Sequence, residues 1–287
     1  MKAGFIGLGA MGAPMAVNLA RAGYLRGVWN RSTGKAQALA DELGVRAAAT
    51  PAELASEADI LLICVSADTD VLAVVEALRP GLRSGHIVVD HSTVSAATAR
   101  AADALVRSTG AAFLDVPVTG GVEGARAASL AMMAGGEAED LERARPVLNA
   151  MATRIAHMGP VGYGQASKAV NQIMAAGINQ AVTEALAFGQ AQDLDMDKLI
   201  DVVAGGAAGN WFLNKRGPTM TRGVFEPGFK LALHHKDLMI CLQMAEAMNM
   251  DLPLTRQTLI DYASLMERGH GSEDISALYR LKRQATD

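Results

Sequence analysis

GYGQASKAVNQIMAAGINQAVTEALAFGQAQ, residues 162–192, divides the chain into two kinds of sequence. A turn containing Gly159, Pro160, Gly162 and Gly164 leads into a long run without proline. Ala, Gln, Met, Leu and Glu predominate there, all good helix formers. Ala166, Ala169, Val170, Ile173, Met174 and Ile178 recur at the spacing of one helix face, so the stretch predicts a single long helix. Lys168 and Asn171 stand three residues apart near its start and are neighbours on that helix. An amine and an amide so placed suit proton transfer. Upstream, strand-like and helix-like runs alternate; downstream, only helical patterns follow. The expectation is an α/β protein with an N-terminal Rossmann-type, doubly wound parallel sheet in residues 1–163. An all-α domain, residues 164–287, begins with the joining helix.

Towards the N-terminus, residues 2–6 read as a short strand that runs into Gly7-Leu8-Gly9-Ala10-Met11-Gly12, and a helical pattern then continues to Gly23. This is G-x-G-x-x-G between a strand and a helix. The first glycine allows the tight turn, the second lets a pyrophosphate reach the backbone, and the third lets helix pack on strand. The helix N-terminus supplies free amides for the anion. All six residues are therefore assigned to a dinucleotide. The second strand ends in Asn30-Arg31-Ser32, with Lys35 a helical turn further on. No acid stands where NAD-binding folds place one for the ribose 2′-hydroxyl, whereas a guanidinium can grip a 2′-phosphate through two charge-assisted bonds. NADP is the expected cofactor, with NAD possible.

Further apolar strands end at Val65-Ser66, at Asp90 before His91-Ser92-Thr93, and at Asp115 before residues 116–121. Ligands of open α/β sheets bind beyond the carboxyl ends of strands. That rule puts Val65, Ser66, Thr93, Thr119, Gly120 and Gly121 on the cofactor side. Past the long helix, residues 197–203, 229–248, 253–268 and 274–283 read as helices, and the Ala–Gly segment 204–210, with Trp211 and Phe212 after it, looks like a loop between helices.

Net charge is −4 and half of the 287 residues are hydrophobic, which argues against bulk electrostatic binding of nucleic acid and for a well-cored protein. Cys64 and Cys241 lie in apolar runs without metal-ligand spacing and read as buried thiols of a reducing compartment. No leader precedes the first strand and no run reaches membrane-spanning length, so a cytoplasmic protein is expected. No metal site is expected: His234, His235 and Asp237 read as helix face or surface. The fifteen methionines read as adaptable core.

Five motifs in order and spacing resemble the β-hydroxyacid dehydrogenase family: FIGLGAMGAPMAVNLARAG (5–23), DHSTVS (90–95), DVPVTGGVEGARA (115–127), GYGQASKAVNQ (162–172) and KDL (236–238). The resemblance covers essentially the whole chain. It implies that Lys168 is the catalytic lysine and that Asn171 orients lysine and substrate. It further implies that Thr119, Gly120 and Gly121 bind the substrate carboxylate, that Thr93 and Lys236 contact cofactor, and that Phe229 lies near the nicotinamide. Val116 and Thr119 depart from the serine and alanine more usual in that loop. The substrate hints conflict, since residues 120–127 look like the 3-hydroxyisobutyrate branch and residues 30–32 like the NADPH-dependent glyoxylate and succinic semialdehyde reductases. Relatives also imply a homodimer or homotetramer.

The chemistry asks for the same residue types. Oxidation of an alcohol to a carbonyl releases a proton that a lysine amine can take, and reduction needs it returned. Related 6-phosphogluconate dehydrogenases carry a longer helical region, and imine reductases characteristically replace the lysine. A non-catalytic dinucleotide-binding module has no use for Lys168, Asn171 and residues 119–121 together.

Overall fold

The computed structural model describes residues 1–283; residues 284–287, the end of the expected helical domain, lie outside the described residues. Two compact units, residues 1–168 and 169–287, divide the chain. In the first, strands and helices alternate. They begin β1 (Ala3–Ile6), α1 (Gly12–Arg21), β2 (Leu25–Trp29), α2 (Thr33–Leu43), β3 (Arg46–Ala47) and α3 (Pro51–Glu57). β4 (Ile60–Ile63), α4 (Asp68–Leu78), β5 (Ile87–Asp90), α5 (Ala96–Arg107) and β6 (Ala112–Asp115) follow. Then come β7 (Val118–Thr119), α6 (Gly121–Arg126), β8 (Leu130–Gly135), α7 (Ala138–Leu148) and β9 (Ala152–Gly159).

Side-chain alternation explains why this sheet is covered on both faces. Phe5, Leu62 and Val89 belong to one buried cluster, while Ile6, Leu61, Ile63 and Val88 belong to another. The strand order is β3-β2-β1-β4-β5-β6-β8-β7, with β9 beside β8. β1 to β6 pair in parallel, and the order reverses around β1, which opens the crevice at β1 and β4 used by dinucleotide folds. The sheet is mixed, because β8 runs antiparallel to β6 and β7. The expected loop at residues 116–121 contains β7, and α6 starts directly at Gly121.

Helix α8 (Tyr163–Ala191) is the long helix, and its first turns lie in the first unit. The second unit continues with α9 (Met196–Ala204), α10 (Trp211–Thr221), α11 (Leu231–Glu246), α12 (Pro253–Glu267) and α13 (Tyr279–Lys282). Its core gathers Leu186, Phe212, Leu238, Tyr262, Leu278 and Tyr279.

Three expectations change here. Residues 211–221, where no helix was expected, form α10, and the Asn210 side chain caps it by accepting the Leu213 N–H at 2.9 Å. Gly217 and Pro218 within α10 dilute its helical signal in the sequence. Residues 274–283 form a 3-10 turn, Ile275–Leu278, and the short α13 rather than one helix. The methionines of this unit are mostly not core, since Met174, Met239, Met248, Met250 and Met266 are exposed and Met220 is buried. Among the described residues no helix is long and apolar enough to cross a membrane.

Candidate active site

The three glycines of the first loop have three different surroundings. At Gly7, where φ is +93°, a Cβ would sit 2.2 Å from the Cys64 carbonyl oxygen, so β1 and β4 approach too closely for any side chain. At Gly12 a Cβ would lie 1.9 Å from the Gly7 carbonyl oxygen, which fixes α1 against the turn. At Gly9 a Cβ would meet nothing within 4 Å. The open side of this loop is thus at Gly9, beside a helix whose N-terminus no side chain caps. That arrangement fits a pyrophosphate. Leu8 is buried, Ala10 exposed and Met11 half-buried.

Asn30 has a second task, for its Oδ1 accepts the Leu8 N–H at 3.0 Å and its Nδ2 donates to the Ser32 carbonyl at 3.2 Å. The amide therefore ties the glycine loop to the end of β2. Arg31, Ser32 and Lys35 are exposed, and the Ser32 hydroxyl does not cap α2. Arg31 pairs with Asp70 of α4 at 3.1 Å. Sequence reading passed over Asp70, an acid in a helical first turn among many.

The ends of β4, β5 and β6 are bound together. The Val65 N–H donates to the Ser92 hydroxyl at 2.9 Å, while Ser66 is exposed and Thr93 half-buried. Asp90 and Asp115 lie opposite each other in the β5–β6 register, and both are fully buried by surface area. Burial pushes each carboxyl up to about 6. At Asp90 the Ser92 hydrogen bonds oppose this and the nearby Asp115 and Asp68 reinforce it, while Oδ2 has no hydrogen-bond partner. At Asp115 the amides of Gly162 and Gln165 and the Arg100 guanidinium oppose it. His91 hydrogen-bonds through Nδ1 to the Val116 carbonyl at 2.8 Å, and burial lowers it to about 4, so its ring stays neutral. Cys64 is half-buried at its surface, yet desolvation drives its thiol up to about 12 and leaves it inert.

Lys168 is buried, and its Nζ donates to the Val118 carbonyl at 2.8 Å. Val118 and Thr119 form β7, so the amine lies against the strand that delivers Gly120 and Gly121. Gly120 has φ +126° and Gly121 +65°, backbone that favours glycine and leaves amides without side-chain cover. Lysine and loop are thus together in one unit.

In the helical unit, the Asn171 Nδ2 donates to the Gln172 Oε1 at 2.8 Å. The Gln172 Nε2 donates to Asp237 Oδ2 at 2.6 Å, and Asp237 Oδ1 accepts from Lys236 Nζ at 2.9 Å. One buried carboxylate thus joins the residue beside Asn171 to the lysine of the KDL motif. The Phe229 ring lies 5.3 Å from that of His234 at a tilt of 43°, and His234 reaches the Tyr262 hydroxyl and the Gln172 carbonyl. His234 and Asp237 are therefore interior positions of α11, which removes the surface alternative. Among the described residues no three His, Cys, Asp or Glu side chains form a metal cluster.

Comparison with known proteins agrees with this fold. Residues 2–159 match the family model of the NAD-binding domain of 6-phosphogluconate dehydrogenase. Residues 162–282 match the NAD-binding model of NADP-dependent 3-hydroxyisobutyrate dehydrogenase. The chain is 35% identical to an NAD-dependent L-serine dehydrogenase of Pseudomonas aeruginosa, over 96% of both chains. It is 36% identical to the 2-hydroxy-3-oxopropionate reductase of Escherichia coli, over 97% of this chain and 96% of that one. The 3-hydroxyisobutyrate dehydrogenase of Mycobacterium tuberculosis, solved with L-serine, superposes with a TM-score of 0.90 at 34% identity over 99% of each chain. Glycine loop, buried lysine and matches over both units lead to one conclusion: the chain is an NAD(P)-binding oxidoreductase of the β-hydroxyacid dehydrogenase family.

Proposed function

We propose that the protein is an NADP-preferring dehydrogenase of small 3-hydroxyacids, or reductase of the matching semialdehydes, with Lys168 as general acid and base. The observation that carries this reading is a buried amine, Lys168 Nζ, held 2.8 Å from the carbonyl that leads into Thr119, Gly120 and Gly121. The bound nicotinamide supplies the hydride acceptor or donor. The protein's residues do the rest. Amides of Gly120 and Gly121, with the Thr119 hydroxyl, hold the substrate carboxylate. Lys168 takes the alcohol proton in oxidation and returns it in reduction, with its charge stabilising the developing alkoxide. Asn171 orients the hydroxyl.

Gly7 to Gly12 cradle the pyrophosphate. Arg31, Ser32 and Lys35 receive the 2′-phosphate at the uncapped start of α2. Val65, Ser66 and Thr93 complete the cofactor site within the first unit. The domain division proposed is residues 1–163 for cofactor and 164–287 for substrate and self-association as a dimer or tetramer, in the cytoplasm. Lys168→Ala tests the mechanism. It should lower kcat by about 10²–10⁴-fold while NADPH binding, read by fluorescence, survives. An alanine variant within a few-fold of wild type would remove Lys168 as proton carrier. Small aldehydes with NADPH and hydroxyacids with NADP⁺ then identify the substrate.

A further inference from the structure

Asp115 is an expensive way to cap a helix. It is fully buried at the end of β6, yet its two oxygens accept the Gly162 and Gln165 N–H groups, each at 2.8 Å. The carboxylate reaches the start of α8 from 47 residues away. Glycines make room for it: a Cβ on Gly135 would meet Asp115 Oδ1 at 2.3 Å, and one on Gly164 would meet the Asp115 carbonyl at 2.3 Å. A local Ser or Asn could cap the helix without burying a charge.

The Gln165 side chain adds a second tie. Its Nε2 donates to the Ser92 carbonyl at 2.8 Å and its Oε1 accepts the Val94 N–H at 3.2 Å. Both attachments meet at Gln165, one turn before Lys168, and Gln165 and Lys168 share a helix face. Lys168 itself returns to the Val118 carbonyl, three residues after Asp115. The path from Asp115 through the first turn of α8 to Lys168 and back to Val118 is therefore a closed ring. Nothing in it can slide without breaking a buried hydrogen bond.

We propose that Asp115 and Gln165 are positioning residues that fix the Lys168 amine relative to the Thr119–Gly120–Gly121 loop, so that proton transfer depends on them although neither touches substrate. The inference rests on the reading of Lys168 as general acid and base. A carboxylate is needed because it alone accepts from both amides at once. An asparagine at 115 turns its NH2 towards one of these donors and tilts the first turn. Displacement of a reacting group by about 1 Å can cost on the order of 100-fold in rate.

A double-mutant cycle on the full-length enzyme tests this. Asp115→Asn should lower kcat roughly 10- to 100-fold, with KM for the acid and Kd for NADPH within about threefold of wild type. In a Lys168→Ala background the same change should alter the residual kcat by less than about threefold, because the group being positioned is gone. Gln165→Ala, milder in a helix, should show the same pattern with a fall of roughly tenfold, and it serves if Asp115→Asn does not fold. Three results would overturn the proposal: equal losses in both backgrounds, an intact kcat in both variants, or a loss confined to KM. If Lys168→Ala alone keeps its kcat, the general acid–base reading fails, and the proposal falls with it. A slow Lys168→Ala variant with additive losses rejects only the positioning role.

Discussion

At the end of β2 the Arg31 side chain is 86% exposed and meets one acid, Asp70, at the surface. At the end of β6 Asp115 is fully buried and engages two backbone amides, beside a buried lysine and a buried glutamine. Both sites sit beyond the carboxyl ends of strands in the same sheet. They differ in what their chemistry requires. Proton transfer needs atoms held to within a fraction of an ångström, and burial with full hydrogen bonding supplies that. Holding a phosphate needs charge at roughly the right place, and exposed side chains that adapt are enough. The first kind of site is costly to alter and the second is tunable.

The largest effect should come from the glycine loop that both sites share a sheet with. Gly12→Ala puts a methyl group 1.9 Å from a backbone oxygen that cannot swing aside. Overpacking of this kind costs about 3 kcal/mol or more where the neighbour is rigid. Gly9→Ala, facing open space, should leave the melting temperature unchanged and weaken NADPH binding instead. Thermal melts with and without NADPH separate the two. A Gly9 variant that melts early would mean the open side is needed for folding.

Next in size is Arg31→Asp. It removes a charge-assisted phosphate contact and adds repulsion, so kcat/KM with NADPH should fall about 100-fold while NADH is affected far less. Equal losses with both cofactors would place the 2′-phosphate elsewhere.

The residues proposed for the exposed site form a pattern in the sequence, and those around the buried one only half do. Glycine spacing, the missing acid after β2 and the lysine–asparagine pair are written in local order, which is what pattern reading detects. Asp115 was visible only as the polar end of an apolar strand, AAFLD, and HIVVD ends the same way. Its partners at residues 162 and 165 are tertiary and leave no mark on spacing. The Gln172–Asp237–Lys236 chain escaped for the same reason, while α10 escaped because Gly217 and Pro218 weaken its propensity. The parallel part of the sheet followed the continuous apolar strands; the antiparallel strand β7, of two residues, is too short to carry a pattern.

The third effect concerns the buried acids. Asp90 is raised by burial to about 6 from an ordinary value near 3.8. Between those values the folded protein holds a proton that the unfolded chain has lost. Stability therefore falls as pH rises from about 4 to 6, and the cost persists above that. Asp90→Asn removes the charge and keeps an acceptor for the Ser92 N–H. The difference in unfolding free energy between variant and wild type should move in the variant's favour by roughly 2 kcal/mol between pH 4.5 and 7.5. Urea titrations at the two pH values measure it. A difference independent of pH would mean that Asp90 has an ordinary carboxyl in the folded state.

The smallest effect is the one that most sharpens the contrast. Asp70 and Arg31 form an ion pair across the surface, with side chains 28% and 86% exposed respectively. A 2′-phosphate bound at Arg31, as proposed, would have to compete with Asp70 for the guanidinium and approach a carboxylate. Exposed pairs are worth only about 0.2–1 kcal/mol, so Asp70→Asn should tighten NADPH binding by no more than about fivefold. NADH, which lacks the phosphate, should bind as before. Because the site is open to solvent, the gain should shrink as salt rises from about 0.05 to 0.5 M, where the Debye length drops well below 10 Å. The positioning at Asp115 is buried, so the kcat loss of Asp115→Asn should not change with salt. Fluorescence titrations of NADPH and NADH at the two salt concentrations decide the matter. If Asp70→Asn weakens NADPH binding instead, Asp70 holds Arg31 in place for the phosphate. The exposed site would then be preorganised too, and the contrast between the two strand ends would be one of degree.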